Sequence, residues 1–226
     1  MPIERVFPHV VFELRGVEVR DSVVVTWILM ALMSGAAWAV TRRLEPVPRG
    51  LQCALEAALE WIEAQIREVT VFKPALFLPL VGSLGLFLVV ANSASLVPMV
   101  GAPTRDLNTT FALAGIVFVA THAYGLTLVG VKRYLRNYLE PSWILLPFNI
   151  IGELTRTLAL ALRLFGNMLS GELIVAILLV LAGLVVPVLM QLFGLLIAVI
   201  QAYVFALLAL VYVAAGLEAE PAGGEQ

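Results

Sequence analysis

The chain has 226 residues, 61% of them hydrophobic and 13% charged, with a mean hydropathy of +0.99 and a formal net charge of −2. A soluble domain carries about 25% charged residues, so the composition excludes an ordinary soluble enzyme, and the charge balance gives no sign of nucleic-acid binding. The single cysteine, Cys53, excludes an internal disulfide framework and a cysteine-based metal site, and is read as a small apolar residue.

Residues 1–22 read as a short exposed tail, too polar for a signal peptide and without the Arg-rich, acid-poor character of a transit peptide. Residues 23–41 form the first span. Arg42, Arg43 and Arg49 follow it and put that end on the cytoplasmic side. Residues 51–69 differ in kind: Leu51, Leu55, Ile62, Ile66 and Val69 share one side, and Gln52, Glu56, Glu60, Glu63 and Arg67 the other. This is an amphipathic surface helix, and its acidic polar face either contacts protein or is simply solvated.

Residues 74–95 span next, ending in the polar Asn92, Ser93 and Ser95. An external loop follows, in which Asp106 before Asn108-Thr109-Thr110 has the pattern of a turn and helix cap, a role at an ion entrance being the other reading. Residues 110–131 return across the membrane to the basic Lys132, Arg133 and Arg136. His122 lies within that span and either bonds a neighbouring helix or relays protons. Residues 147–182 form a helix longer than the roughly 20 residues a perpendicular span needs, so it must tilt or bend. Gly183 and Pro187 mark the turn into a final helix, 188–216, whose interior holds Gln201; residues 217–226 are a short acidic tail.

The expected fold is therefore all-α: a polytopic membrane protein of five transmembrane helices plus one amphipathic surface helix. An odd number of spans puts the N-terminus outside and the C-terminus in the cytoplasm. No convincing internal repeat, phosphate-binding loop, metalloprotease motif or nucleophile elbow is present, and no cofactor or metal is expected.

Within 147–182 the sequence places Arg163 in the middle of an apolar run. An arginine at the centre of a spanning helix costs about 2.5–3.5 kcal/mol on insertion scales. At roughly 100° per residue, Arg156, Ala159, Arg163, Asn167 and Ser170 fall on one face, with Gly166 at its edge. Lipid would reject that stripe. It suits a closely approaching protein surface or a water-filled cleft, with a carboxylate near Arg163; a buried structural ion pair is the other physical reading. Glu172 lies about 180° round the helix from Arg163 and cannot serve the same surface.

Arg163-Leu164-Phe165-Gly166-Asn167-Met168, followed by Ser170-Gly171-Glu172-Leu173, resembles the RLFGN…GE signature of subunit a of the F-type ATP synthase. Pro147-Phe148-Asn149-Ile150-Ile151-Gly152-Glu153 resembles that family's entry to the same helix. Ala102 to Thr110 resembles its external loop, and Gln201-Ala202-Tyr203-Val204-Phe205 its final-helix motif. The resemblance covers residues 70–216. It implies a long tilted C-terminal helix hairpin lying against a rotating ring of c subunits, each with an ion-binding carboxylate. The implied function is a non-catalytic, ion-conducting stator subunit in the bacterial inner membrane. It gives H⁺ or Na⁺ one aqueous half-channel onto the ring and another off it. The implied partners are the c-subunit ring, the b-subunit stator dimer and the rest of the ATP synthase.

The resemblance gives ion-translocation roles to Arg163, Asn167, Glu172 and Gln201. Gln201 would face and hold Arg163, or else bond a neighbouring backbone. Glu172 would line the external half-channel, or else bond a neighbouring helix. Glu153, Arg156, His122 and Ser170 are secondary half-channel candidates, although Glu153 and Arg156 also suit interfacial anchoring. Thr157 stands where the family often has proline, and Gly194 where some proton-pumping relatives have histidine. With the short N-terminal tail, these departures resemble the alternate bacterial F-type synthases. Two readings from other classes remain at this point: a self-contained secondary transporter of an anionic solute bound by Arg163, and a purely structural membrane scaffold.

Overall fold

The computed structural model describes residues 9–14, 17–42, 50–97, 100–139, 144, 146–183 and 185–217. The basic cluster at Arg43 and Arg49, the Glu140-Pro141 pair and the acidic tail after Leu217 lie outside these residues. In chain order the elements are β1 (Val10–Leu14), β2 (Val17–Arg20), α1 (Asp21–Thr41), α2 (Leu51–Val69), α3 (Leu78–Ser93), α4 (Leu107–Tyr124), α5 (Val131–Leu139), α6 (Leu146–Leu181) and α7 (Val185–Leu217). Short 3-10 turns at Pro74–Leu76, Ala94–Leu96 and Pro103–Arg105 flank α3 and α4, and a π-helical turn at Gly125–Val129 extends α4. Five of the described helices, α1, α3, α4, α6 and α7, are long and apolar enough to cross a bilayer. The fold is that of an all-α polytopic membrane protein.

The N-terminal segment is more than an exposed tail. β1 and β2 pair antiparallel, with Phe12 opposite Val19 and Leu14 opposite Val17. The alternation Val17-Glu18-Val19-Arg20 turns Val19 inward and leaves Glu18 exposed. The hairpin runs straight into α1, whose first residue, Asp21, accepts the N–H groups of His9 at 3.2 Å and Ser22 at 2.9 Å through Oδ1. Ser22 is the buried residue of α1 and donates to Asp106 Oδ2 at 2.5 Å. The rest of α1 is half-buried or exposed, with Trp27 and Leu32 among its exposed residues, as suits a helix docked by one end and otherwise facing lipid.

α7 is the axis of the bundle. Leu84 and Leu88 of α3, Leu113, Ala114 and Val117 of α4, and Leu160, Ala161 and Leu164 of α6 close around its Ala198, Ala202, Phe205 and Ala209. In lipid, helices associate through close packing rather than hydrophobic exclusion, and the alanines allow that close approach. Asp106 caps α4 by accepting the Asn108 N–H at 3.0 Å. Gly125 is needed at the start of the π turn, because a Cβ there would collide with the Tyr134 ring. Gly183 ends α6 with φ +69°, a left-handed conformation that glycine adopts freely. Pro187 lies inside the first turn of α7, where its missing N–H leaves no helix bond unmade.

α2 lies against α3 and α7. Its Ile66 is buried with Phe77, Val81, Leu210 and Val213, and Ile62 and Val69 pack on the same cluster. Tyr203 donates to Gln65 Oε1 at 2.8 Å. Cys53, read as a small apolar residue, sits exposed at the other end of this helix.

A polar joint ties the loop before α4 to the bundle. Asn92, fully buried, accepts from Thr104 Oγ1 at 2.7 Å and donates to the Ala198 carbonyl at 3.3 Å. Asn92→Leu would leave the buried Thr104 hydroxyl without this acceptor, at about 1–3 kcal/mol. A lower thermal unfolding midpoint in detergent, at unchanged helix content, is the expected result.

Candidate functional site

α6 has 36 residues, about 54 Å at the standard rise, against a hydrocarbon core of about 30 Å. It therefore crosses obliquely or bends. Thr155 and Thr157 donate to the carbonyls of Ile151 and Glu153 at 2.7 and 3.1 Å, a form of back-bonding that bends helices. Arg163 stands at the midpoint of α6.

Arg163 is exposed, and among the described residues it has no hydrogen bond or ion pair. Ala159, Asn167 and Ser170 on the same face are also exposed, and Gly166 is half-buried. A Cβ added at Gly166 would meet nothing within 4 Å. Among the described residues, none stands where a Cβ at Gly166 would lie. The opposite side of α6 does the internal packing, with Leu160, Ala161, Leu164 and Met168 buried. The basic, polar and small stripe thus forms an open flank of the molecule, and the buried internal ion pair considered for Arg163 is absent among the described residues.

Gln201 reaches this stripe from α7. It is 5% exposed, and its Oε1 accepts from Asn167 Nδ2 at 2.8 Å. The bond goes to the residue one turn beyond Arg163 rather than to Arg163 itself. The Gln201 amide nitrogen is buried with no hydrogen-bond partner.

Glu172 faces away from the stripe, as the helical angle requires. Its Oε1 accepts the Ala102 N–H at 3.0 Å and its Oε2 accepts from Arg105 Nη1 at 3.0 Å. Arg105 Nη2 in turn meets Asp21 Oδ2 at 2.8 Å. These groups line a cleft of about 1090 Å³ bounded also by Ser95, Gln191 and Gly194 and reaching Asn167. A Cβ at Gly194 would find open space, so the glycine adds to the room in the cleft. The cleft thus connects the hairpin-and-loop end of the molecule to the residue adjoining Arg163.

Toward the other end of α6, Glu153 Oε1 lies 3.6 Å from His122 Nε2 of α4. The other ring nitrogen of His122 lies 2.8 Å from the Phe118 carbonyl, and its ring sits 4.3 Å from that of Phe118. Arg156 is exposed on the Arg163 stripe, without an ion pair among the described residues. By the rise of the helix, Glu153 and Glu172 lie about 15 and 14 Å along the axis from Arg163, in opposite directions. Two acidic stations therefore flank one central cation.

The structure brings together groups that the sequence alone leaves apart. Asp21, Arg105 and Glu172 come from three separate elements, and no sequence spacing relates them. His122 and Glu153 were each singled out, but not as partners. The charged residues in the first turn of α1 and in the external loop were the available signals.

The family described as ATP synthase A chain matches residues 23–214 of this chain. The chain is 44% identical over 207 residues to ATP synthase subunit a 2 of Pelobacter propionicus, covering 92% of this chain and 91% of that one. It is 49% identical over 206 residues to ATP synthase subunit a 2 of a Picosynechococcus species, covering 90% and 88%. It is 47% identical over 197 residues to ATP synthase subunit a 1 of Chlorobaculum parvum, covering 86% and 87%.

Proposed function

This chain belongs to the ATP synthase A chain family, and on that footing we propose that it is the stator subunit that passes ions to and from a rotating c-subunit ring. The observation that carries the proposal is the exposed, unpaired Arg163 at the middle of α6, on a stripe of small and polar residues. In a bilayer such a guanidinium needs a counter-charge, and its own chain supplies none among the described residues. A ring of ion-binding carboxylates sliding past the stripe supplies one after another.

The chemistry follows from the fixed charge. Arginine stays protonated under cellular conditions. It favours the ionised form of each arriving c-subunit carboxylate, so that carboxylate gives up its H⁺ or Na⁺. It also bars a direct cation path between the two sides, because a cation must pass a like charge. Water in the adjoining cleft raises the local dielectric and keeps the attraction moderate, so the ring can move on. Asn167, held by Gln201, stands at the inner end of the Glu172 cleft, where it can hand the ion to the ring. Glu153 with His122 lines the second half-channel. On this reading the Glu172 cleft opens outside, the N-terminal hairpin is extracellular, and the b-subunit dimer holds the subunit against rotation.

Membership of this family leaves the anionic-solute transporter without support, and the geometry argues against it. Arg163 is not among the residues lining the cleft, and two carboxylates are. Arg105 lines it too, but its guanidinium is taken up between those two carboxylates, so an anion entering there would meet a net negative wall.

The discriminating experiment is reconstitution. Vesicles holding the whole complex should pump ions on ATP addition, and vesicles holding the purified subunit alone should take up no solute. Uptake by the subunit alone would reject the proposal. The Asn167–Gln201 bond adds a graded expectation. Gln201→Leu removes the acceptor and should slow ATP-driven pumping by up to about tenfold, the worth of one hydrogen bond, at normal assembly.

A further inference from the structure

The cleft holding Glu172 contains a charged group that the ion path as described does not use. Arg105 is 6% exposed and ends the short turn Pro103–Arg105. Its guanidinium forks between two carboxylates on different helices, Asp21 Oδ2 at 2.8 Å and Glu172 Oε2 at 3.0 Å. The seat for it is built. A Cβ at Gly101 would collide with Cζ and both terminal nitrogens of Arg105, so a glycine there is what admits the guanidinium.

Resting on the ion-translocation reading above, we infer that Arg105 is a positioning residue of this half-channel, a tethered counter-ion that shares Asp21 and Glu172 with the passing cation and sets how tightly the cation is held. Of the described residues lining the cleft, the formally charged ones are Asp21, Arg105 and Glu172, with His9 also at its wall. The Arg20–Asp106 pair behind them, 3.5 Å apart, balances itself. Among these described residues two carboxylates face one guanidinium, which leaves the wall net negative and open to a cation.

Both oxygens of Glu172 are already engaged, one by the Ala102 N–H and one by Arg105. Each oxygen keeps a free lone pair, but a cation that binds there draws off the negative charge that holds the guanidinium, and so the two compete. Asp21 keeps hold of the arginine while Glu172 turns to the cation, and the arginine reclaims Glu172 when the cation leaves. Competition weakens binding and speeds release. Without it, two carboxylates facing one cleft would hold a cation too long for rapid passage.

The test is ATP synthesis by the whole reconstituted complex, driven by an imposed ion gradient. The rate is followed against ion concentration on the side to which the cleft opens. Arg105→Gln should lower the half-saturating concentration at least about tenfold, the effect of one charge-assisted bond, and lower the maximal rate. Asp21→Asn should raise the half-saturating concentration, because the guanidinium then pairs with Glu172 alone. Arg105→Lys, which keeps the charge without the fork, should fall between wild type and Arg105→Gln. If Arg105→Gln does not assemble, Gly101→Ala displaces the guanidinium and should shift half-saturation in the same direction. A merely structural Arg105 would lower complex yield or maximal rate and leave half-saturation unmoved in these variants, and that result would overturn the inference. Arg163→Ala separates the two readings. Continued coupling in that variant removes the ion-translocation proposal itself, whereas lost coupling with unmoved half-saturation removes only the role of Arg105.

Discussion

Arg163→Ala is expected to bring ATP-driven ion pumping by the assembled complex down to background. The residue is exposed and has no bond or ion pair among the described residues, so its removal costs the subunit no internal contact. Truncation also removes an insertion penalty of about 3 kcal/mol, so the variant should reach the membrane at least as well as the wild type. What it loses is the charge that makes each arriving carboxylate release its ion. A charge-assisted bond of about 1.5–3 kcal/mol corresponds to a factor on the order of 10 to 100 in that release step. The barrier to direct passage goes with it. The measurement is ATP-dependent ion uptake into vesicles, normalised to assembled complex. Normal assembly with no coupled uptake is expected, and coupled uptake near the wild-type level would reject the role of Arg163.

Gly166→Leu should have nearly as large an effect by a different route. Glycine inside a helix costs about 1 kcal/mol relative to better helix formers, and a Cβ at this position touches nothing in the subunit. Judged from this chain alone, a side chain is accommodated at Cβ and favours the helix, so the purified subunit should unfold at about the same temperature. If the stripe is the face along which a ring slides, several added carbons stand in its way. Overpacking a close interface costs typically 1–3 kcal/mol, and a moving one meets that cost at every step. Rotation-coupled pumping should fall at least about tenfold, while Gly166→Ala stays near wild type. A leucine variant that pumps normally would mean that no partner approaches this flank.

The stripe was legible because helical periodicity is a local property: five residues at their spacings suffice to show that Arg163 and Asn167 share a face. The cap at Asp106 was legible for the same reason, being written in the next few residues. The N-terminal hairpin was not. Its strands have five and four residues, and alternation that short is easily lost in a segment of mixed charge. The Arg105 fork was hidden for a deeper reason. Its partners stand 67 and 84 positions away, and only the packing of α1, α6 and the external loop brings them together. Likewise His122 and Glu153 drew notice as polar residues in apolar helices, yet their pairing depends on how α4 meets α6. The sequence marked residues that need a partner, but the partner's identity was tertiary information.

Site-directed cross-linking tests the open flank most directly. With Cys53 replaced by alanine, a cysteine at the exposed Ser170 is paired with one on the outer face of the c subunit at the same depth, about 10 Å along the helix axis from the level of Arg163. Leu32 on the outward face of α1, 63% exposed, serves as the control position. Ser170→Cys should form the disulfide, stop ATP-driven pumping and recover on reduction, and Leu32→Cys should form none. A bond from Leu32 but not from Ser170, or pumping that continues through the Ser170 bond, would contradict the placement of a moving ring against Arg163.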